Sequence, residues 1–425
     1  MLIFEYIQDQ QALVLTGEAV AAWDEADRMI GRLSMAELME HKRAFRNDVR
    51  NLEQRHSKCL SYKHHPGYVA AMLTELFMAG RKFWRTVSGG QLPWLLPLGE
   101  ALTHHMGAQW WMIEDARAIS SHVYHIESKG PPQALLPLDS LPLGEMEKAV
   151  VSSDEADVRL LAALFGGFNS IVRYTPLQAG EFLHPHVPGK MVTLFLRSTA
   201  VDALDEMRAV LGKGKGVLLG PFPSRGAYED PADIARSLLL SEPARGPNPL
   251  VPDLVQIYAH AAENPGLAAS LTITFAFGRN KPVTVMRSSH VENVLMELER
   301  LRRGARITEL GPLVIFNACE ALGTIGNEPT STGLDLSLNG SRAVVGPREE
   351  VLAQFAVRFS ETIHTALDEG HSIGEAVVRA RWTTLGDLLN PSGLLYATFG
   401  DVETTRGVPF EDPGGEKTWK PVPLS

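Results

Sequence analysis

The amino-acid sequence predicts an α/β fold in which a mostly parallel sheet is flanked by helices. From residue 191 onward, short apolar runs alternate with amphipathic stretches, a pattern typical of strand–helix–strand units. The runs LVQIYA and LVIF are almost wholly apolar, as expected for strands buried inside such a sheet. With 425 residues, 44% of them hydrophobic, the chain is also long enough for two or three folded units.

A hairpin is expected at the start of the chain, followed by a largely helical first half. The apolar runs at 2–6 and 12–15 are separated by polar residues, which indicates two short strands. Apolar residues then recur at spacings of three and four from 20 to about 83, and a second helix is expected there at 68–84. Beyond a proline-rich loop that starts at Gly130, one more helix is predicted at 153–164.

The elements of the second half follow from the same periodicities. Strands are predicted at 191–197, 216–219, 254–259, 313–316, 341–346 and 394–400, with a hairpin across residues 278–280. Helices are predicted at 202–211, 231–240, 291–303, 349–369 and 373–385. We therefore expect a first half at 1–175, a second half at 176–405, and a loose tail rich in Pro, Gly and charge at 406–425.

Charge and cysteine content exclude several classes of function. A net charge of −10 disfavours a general binder of nucleic acid or of anionic membranes. Two cysteines, Cys59 and Cys319, are too few for a disulfide scaffold or a four-thiolate zinc site, so we expect a cytoplasmic protein without a metal. Neither a signal peptide nor a membrane span is expected. The GKGKG run at 212–216 lacks the ending of a phosphate-binding loop, so a turn and no cofactor are predicted.

One histidine and one cysteine follow two of the predicted buried strands. His260 comes directly after the strand at 254–259, and Cys319 lies just beyond the strand at 313–316. If these two strands are neighbours, both residues lie at the edge of the sheet where α/β proteins bind ligands. A thiol with a pKa of about 8.5 needs a base to become a nucleophile at neutral pH, and an imidazole can serve. The alternative is a cysteine that is simply buried at the end of a core strand.

The sequence around this pair resembles the CHAT family of caspase-like cysteine peptidases. LVIFNACEALGT resembles the segment that carries the nucleophile, and LVQIYAHA resembles the histidine strand. The stretch at 341–381 and PSGLLYATFGD resemble the closing elements of the family, and the resemblance is strong from about 191 to 401. It is weaker in the first half, where IFEYIQDQQALVL and LPLDSLPLGE look like parts of a degenerate caspase-like half with a helical elaboration.

The resemblance implies a regulated cysteine endopeptidase with Cys319 as nucleophile and His260 as base. It also implies an oxyanion hole formed by the backbone amides of Ala261 and Cys319, although the family often has Gly where this chain has Ala261. Family members often select a basic residue through an acidic pocket, for which Glu320, Glu349 and Glu350 are the candidates by position. The alternative for each is an ordinary structural or surface carboxylate, so no side-chain preference is assigned. The expected partners are a protein substrate and a regulatory protein, in a bacterial defence or cell-death pathway.

Two other functions remain open from the sequence. A catalytically silent scaffold of the same fold would have no need for Cys319 and His260, yet the chain retains both. An α/β module that binds a nucleotide or another small ligand would leave Cys319 buried, and the lack of a glycine-rich phosphate loop disfavours it. A peptidase needs a reachable Cys319 thiol and a core cysteine does not, so thiol accessibility separates the peptidase from a module in which Cys319 is merely buried.

Overall fold

The protein is described by a computed structural model. It describes residues 1–57, 64–90, 124–131, 134–142, 155–176, 191–198, 204–222, 230–240, 252–264, 270–276, 283–287, 290, 293–294, 296, 311–317, 341–348 and 351–406. The chain divides into two compact units, residues 1–177 with 374–395 and residues 178–373 with 396–425. The segment 374–395, which the sequence analysis placed in the second half, therefore belongs to the first unit.

The described residues form the following strands and α-helices, which are numbered in chain order. The strands are β1 (Leu2–Ile7), β2 (Ala12–Thr16), β3 (Met29–Arg32), β4 (Tyr124–Gly130), β5 (Ser170–Pro176), β6 (Val192–Arg197), β7 (Val217–Phe222), β8 (Leu254–Tyr258), β9 (His260–Asn264), β10 (Ser270–Ala276), β11 (Val283–Arg287), β12 (Leu313–Asn317), β13 (Ala343–Pro347) and β14 (Tyr396–Gly400). The α-helices are α1 (Glu25–Arg28), α2 (Met35–Ser57), α3 (Pro66–Val87), α4 (Glu155–Ala163), α5 (Gly166–Asn169), α6 (Leu204–Gly212), α7 (Pro231–Leu240), α8 (Ala353–Asp368) and α9 (Ile373–Leu388). None of the helices within the described ranges combines the length and apolar character that a membrane span requires.

Local sequence signals set where the long helices of the first unit begin. Ser34 and Glu37 form a reciprocal capping box at the start of α2: the Ser34 amide donates to Glu37 Oε2 at 2.7 Å, and the Glu37 amide donates to Ser34 Oγ at 3.3 Å. Helix α3 begins with Pro66, and His65 Nδ1 accepts a hydrogen bond from the Gly67 amide. Both helices then pack their apolar faces together, for example through Phe45 and Phe83.

In the first unit the strand order is β3-β2-β1-β4-β5. Strand β1 is antiparallel to β2, which confirms the predicted hairpin, and β1, β4 and β5 run parallel to one another. Met29–Arg32 was expected to be helical, but it forms β3 and pairs with β2. Strands β4 and β5 were not predicted, because polar residues interrupt their apolar pattern.

Helix α9 is held in the first unit by a buried ion pair. The Arg381 guanidinium donates to Asp139 Oδ1 at 2.6 Å and to the Gly167 carbonyl at 2.7 Å, and both charged side chains are 1% exposed. The Tyr174 hydroxyl donates to the other carboxylate oxygen of Asp139 at 2.6 Å. The neighbouring Trp382 indole donates to the Phe168 carbonyl at 2.8 Å. These contacts explain why 374–395 belongs with the first unit.

In the second unit the order is β14-β13-β12-β8-β6-β7, and the strands from β13 to β7 are all parallel. This arrangement confirms the predicted mostly parallel sheet flanked by helices. Strand β14 runs antiparallel to β13, whereas an uninterrupted alternation of strands and helices would make all strands parallel. A separate antiparallel sheet has the order β11-β10-β9, which contains the predicted hairpin and adds β9 to it.

Candidate active site

Strands β8 and β12 are parallel neighbours, which was the condition for bringing the histidine and the cysteine together. Their register pairs Leu254 with Leu313 at one end and Tyr258 with Asn317 at the other. His260 and Cys319 each follow this last pair by two residues along the chain. The two segments therefore leave the sheet at the same level of its carboxyl edge, where α/β proteins bind their ligands.

The described residues contain only part of the expected site. Cys319, Glu320, Glu349 and Glu350 lie outside them. His260 and Ala261 are placed by their backbone as the first two residues of β9, where they pair with Thr274 and Ile273 of β10. The assigned roles of these six residues stay predictions.

Backbone hydrogen bonds hold the ends of three neighbouring strands together at this edge. The Ser198 amide, just after β6, donates to the Tyr258 carbonyl at 2.7 Å, and the Ala259 amide donates to the Asn317 carbonyl at 3.4 Å. Ala259 is buried, although it follows the last residue of β8. Hydrogen bonds thus hold the backbone up to the residue that precedes His260.

Two polar side chains tie the same strand ends to the beginning of helix α8. The Tyr258 hydroxyl donates to the Ala353 carbonyl at 3.1 Å, and Asn317 Nδ2 donates to the Ala356 carbonyl at 3.2 Å. Asn317 is only 4% exposed. The sequence analysis did not single out Tyr258 or Asn317; the available signal was a polar residue at the end of each apolar run.

The opposite edge of the sheet carries a buried ionic network. Arg406 donates through Nη2 to Asp253 Oδ1 at 2.9 Å and through Nε to Asp253 Oδ2 at 3.2 Å. Its guanidinium also contacts Asp368 at 3.3 Å and donates to Thr193 Oγ1 at 3.0 Å. The Arg342 guanidinium donates to the Asp253 backbone carbonyl at 2.9 Å. Arg406 was expected to begin a loose tail, but it is 6% exposed and part of the core; residues 407–425 lie outside the described residues.

His364 on α8 lies next to this network and is uncharged at neutral pH. Burial lowers its pKa to about 3, with a further lowering by the Arg406 charge and an opposing effect of Asp253. Its Nε2 is 3.0 Å from Gln256 Oε1 on β8. His364 is therefore a structural histidine in the core, and its depressed pKa makes it a poor general base near neutral pH.

The GKGKG run is the candidate for binding phosphate, and clusters of His, Cys, Asp and Glu side chains are the candidates for binding a metal. The GKGKG run forms the turn expected between α6 and β7, and the Lys215 amide and ammonium donate to Asp368 at 3.1 and 2.9 Å. The Asp368 carboxylate thus accepts from the Lys215 amide, and the Asp368 backbone carbonyl accepts from the Lys215 ammonium. Within the described ranges, no group of three His, Cys, Asp or Glu side chains could hold a metal ion.

Comparison with known proteins gives matches only among solved structures. No model of a known protein family matches the chain, and no curated protein sequence matches it. The structure of the Arg-specific cysteine proteinase gingipain R is similar at 10% identity and a TM-score of 0.41, over 71% of this chain and 68% of that one. The complex of the RgpB pro- and mature domains from Porphyromonas gingivalis gives 10% identity and a TM-score of 0.39, over 70% and 69%.

The separase–securin complex of Saccharomyces cerevisiae is also similar, at 11% identity and a TM-score of 0.37. That similarity covers 86% of this chain and 22% of the other chain, so this chain spans about a fifth of that protein. Identities and TM-scores as low as these assign no activity or residue role to the chain. The fold is therefore described here from its own strand pairings.

Proposed function

We propose that the chain is a regulated cysteine endopeptidase related to the CHAT family, with Cys319 as nucleophile and His260 as base. The observation that carries the proposal is the register between β8 and β12, in which Tyr258 and Asn317 are partners. The proposed pair follows at equal distance beyond them. The shared register supports the pairing, because proton transfer between a thiol and an imidazole requires the two side chains to lie close together.

The proposed reaction proceeds through an acyl-enzyme. His260 takes the proton of the Cys319 thiol, and the thiolate forms a bond to the carbonyl carbon of the scissile peptide. Collapse of the tetrahedral intermediate breaks the C–N bond, and the imidazolium returns the proton to the leaving amine. Water, deprotonated by the same imidazole, then releases the acid product and the free thiol.

Backbone amides of Ala261 and Cys319 are the proposed donors to the oxyanion. Residues of an antiparallel pair alternate between positions that exchange hydrogen bonds and positions that do not. Since Ala261 pairs with Ile273 of β10, its role requires a position in which its amide is not used by that strand. Loss of one such donor costs on the order of 100-fold or more in rate.

The substrate of the proposed enzyme is a specific protein, and a second protein regulates its cleavage. Glu320, Glu349 and Glu350 are the proposed candidates for a pocket that accepts a basic side chain. A role in bacterial defence or programmed cell death, a cytoplasmic location and a degenerate caspase-like character of the first half belong to the same proposal. The cytoplasmic location rests on the presence of only two cysteines, and the other two points rest on the sequence resemblance.

Peptide mapping by mass spectrometry tests the activity directly. The wild-type chain and Cys319→Ala are each co-expressed with the proteins encoded beside the gene, and new N-termini are compared. Termini that appear only with the wild-type chain identify the substrate and the residue before the cut. Identical termini from both chains, in the presence of every neighbouring protein, would contradict the proposal.

Thiol reactivity tests the dyad without a known substrate. Cys59→Ser leaves Cys319 as the single cysteine, and its rate of alkylation by iodoacetamide is measured from pH 5 to 10. We expect an inflection below the ordinary thiol pKa of about 8.5, which His260→Ala removes. His371→Ala is the matched control, because His371 follows α8 and pairs with Glu369 at 3.8 Å. A profile that His260→Ala leaves unchanged would refute the dyad.

A further inference from the structure

The carboxyl ends of β8 and β12 share one anchor. Tyr258 and Asn317 are register partners, and each stands two residues before a member of the proposed catalytic pair. Their side chains bind the carbonyl oxygens of Ala353 and Ala356, which both belong to the first turn of α8. Parallel strands present register partners on the same face of a sheet, so one helical turn can hold both strand ends at a fixed separation.

Asn317 is more tightly constrained than a buried strand end requires. Nδ2 also donates to Ser360 Oγ at 2.6 Å, and Oδ1 accepts from the Tyr396 hydroxyl at 3.2 Å. The Tyr396 ring is itself stacked on Phe359, with ring centroids 4.1 Å apart. Three hydrogen bonds thus fix the plane of a nearly buried amide between α8 and β14.

An apolar residue would fill this buried position at less cost in desolvation. The other four residues of β12 are apolar and fully buried, whereas an amide must lose its water and recover every hydrogen bond within the protein. A fully satisfied buried polar cluster specifies one arrangement of the groups around it. The specified arrangement here is the position of the β12 end relative to α8 and to the β8 end.

We propose that Asn317 and Tyr258 are positioning residues for Cys319 and His260, acting through the first turn of α8. This inference rests on the proposed function. Cys319 and His260 each lie two residues beyond Asn317 and Tyr258. The contacts of Asn317 and Tyr258 with α8 therefore set the distance between the strand ends from which the two catalytic segments start. Proton transfer needs heavy atoms within hydrogen-bond reach, and a displacement of about 1 Å can reduce a rate roughly 100-fold.

Two conservative variants remove single hydrogen bonds from the anchor. Tyr258→Phe deletes only the hydroxyl that binds the Ala353 carbonyl, and Ser360→Ala deletes the oxygen that accepts from Asn317. Gln256→Met is the matched control. Gln256 lies on β8, two residues before Tyr258, and its side chain also binds α8, through His364. All variants are made in Cys59→Ser, and thermal unfolding is recorded for each.

The readout is the pH profile of Cys319 alkylation by iodoacetamide. We expect Tyr258→Phe and Ser360→Ala to move the inflection toward the ordinary thiol value and to lower the rate at pH 7 about tenfold. Gln256→Met is expected to lower thermal stability and keep the parent profile. A parent profile with a His260-dependent inflection that both anchor variants retain would overturn the positioning role alone. A parent profile without that inflection would overturn the proposed function and this inference with it.

Discussion

Arg406 is expected to be one of the largest single contributors to the stability of the second unit. Its side chain is 2% exposed, as is that of its bidentate partner Asp253, and it also reaches Asp368 and Thr193. Arg406→Met keeps much of the aliphatic length of the side chain but removes the guanidinium. The Asp253 carboxylate then keeps its hydrogen bond from the Val192 amide at 2.7 Å and the nearby Arg342 charge, but loses its bidentate charge partner.

The expected loss of unfolding free energy in Arg406→Met follows from the Asp253 charge that stays buried. Removing one partner of a buried ion pair leaves an uncompensated buried charge and destabilises a protein by about 3–5 kcal/mol. An exposed ion pair contributes only about 0.2–1 kcal/mol. Arg358 and Glu361 on α8 form such a pair at 2.6 Å, with each side chain about one-third exposed, so Arg358→Met is the matched control in the same unit. If the total stability is about 5–15 kcal/mol, Arg406→Met should remove a large fraction of it and Arg358→Met only a small one.

Hydrogen exchange measured against urea concentration gives the free energy of opening for peptides that cover β6 and β8. This readout reports the second unit whether or not the first unfolds with it. Asp253→Asn supplies a further check, because its Oδ1 can still accept from Val192 while its charge is gone. In the double variant with Arg406→Met, we expect about 2 kcal/mol less destabilisation than the sum of the single variants. Strictly additive effects, or an Arg406→Met cost no larger than that of Arg358→Met, would refute the argument from burial.

Three further perturbations probe other parts of the fold. Because burial lowers the pKa of His364 to about 3 in the folded state from 6.5 for an ordinary imidazole, the unfolded chain binds the extra proton between these pH values. Stability should therefore fall as pH decreases from about 6.5 to 3, by on the order of 4 kcal/mol from this group, and urea titrations of His364→Gln should show a flatter pH dependence. Arg381→Met should destabilise the first unit by about 3–5 kcal/mol, since it leaves the buried Asp139 without its ion-pair partner; a loss of unfolding free energy under about 1 kcal/mol in urea titrations would contradict this. Gly216→Ala should cost about 1–3 kcal/mol because the added Cβ would lie 2.4 Å from the Met191 carbonyl oxygen, whereas Gly386→Ala on the exposed face of α9 should stabilise by up to about 1 kcal/mol; equal melting shifts would contradict the contrast.

The strands that could be predicted from the sequence are those that consist mainly of apolar residues. LVQIY and LVIFN are buried throughout, and their apolar runs identify them without any knowledge of their neighbours. Strand β4 differs, because Glu127 and Ser128 are buried there beside Ile126. Glu127 lies 3.9 Å from Arg173 of β5, and Ser128 Oγ accepts from the Leu136 amide at 2.8 Å. Such polar residues become compatible with a core strand only through partners that are distant in sequence.

The position of Arg406 could not be predicted for the same reason. A single arginine in a polar, proline-rich stretch has no periodicity, and its ion-pair partner Asp253 is 153 residues earlier in the chain. The candidate pair His260 and Cys319 was accessible because each lies next to a strand that the sequence identifies. The register that relates the two strands, however, pairs residues that are 59 positions apart in the chain and is set by the assembled sheet.

Helix α8 connects the polar contacts at the carboxyl edge of the sheet with the ionic network at the opposite edge. Its first turn accepts hydrogen bonds from Tyr258 and Asn317 at the carboxyl edge of the sheet, and its last residue, Asp368, contacts Arg406 at the opposite edge. Sixteen residues at about 1.5 Å each give a rigid rod of roughly 24 Å between the two anchors. A change at Arg406, at the opposite edge of the sheet, can therefore weaken the fold without moving the carboxyl ends of β8 and β12. A change in the side chains that bind the first turn of α8 can move those strand ends at little cost in stability. Stability and thiol reactivity should therefore respond to different variants along one helix, and Arg406→Met should lower the first while leaving the alkylation profile of the remaining folded protein unchanged.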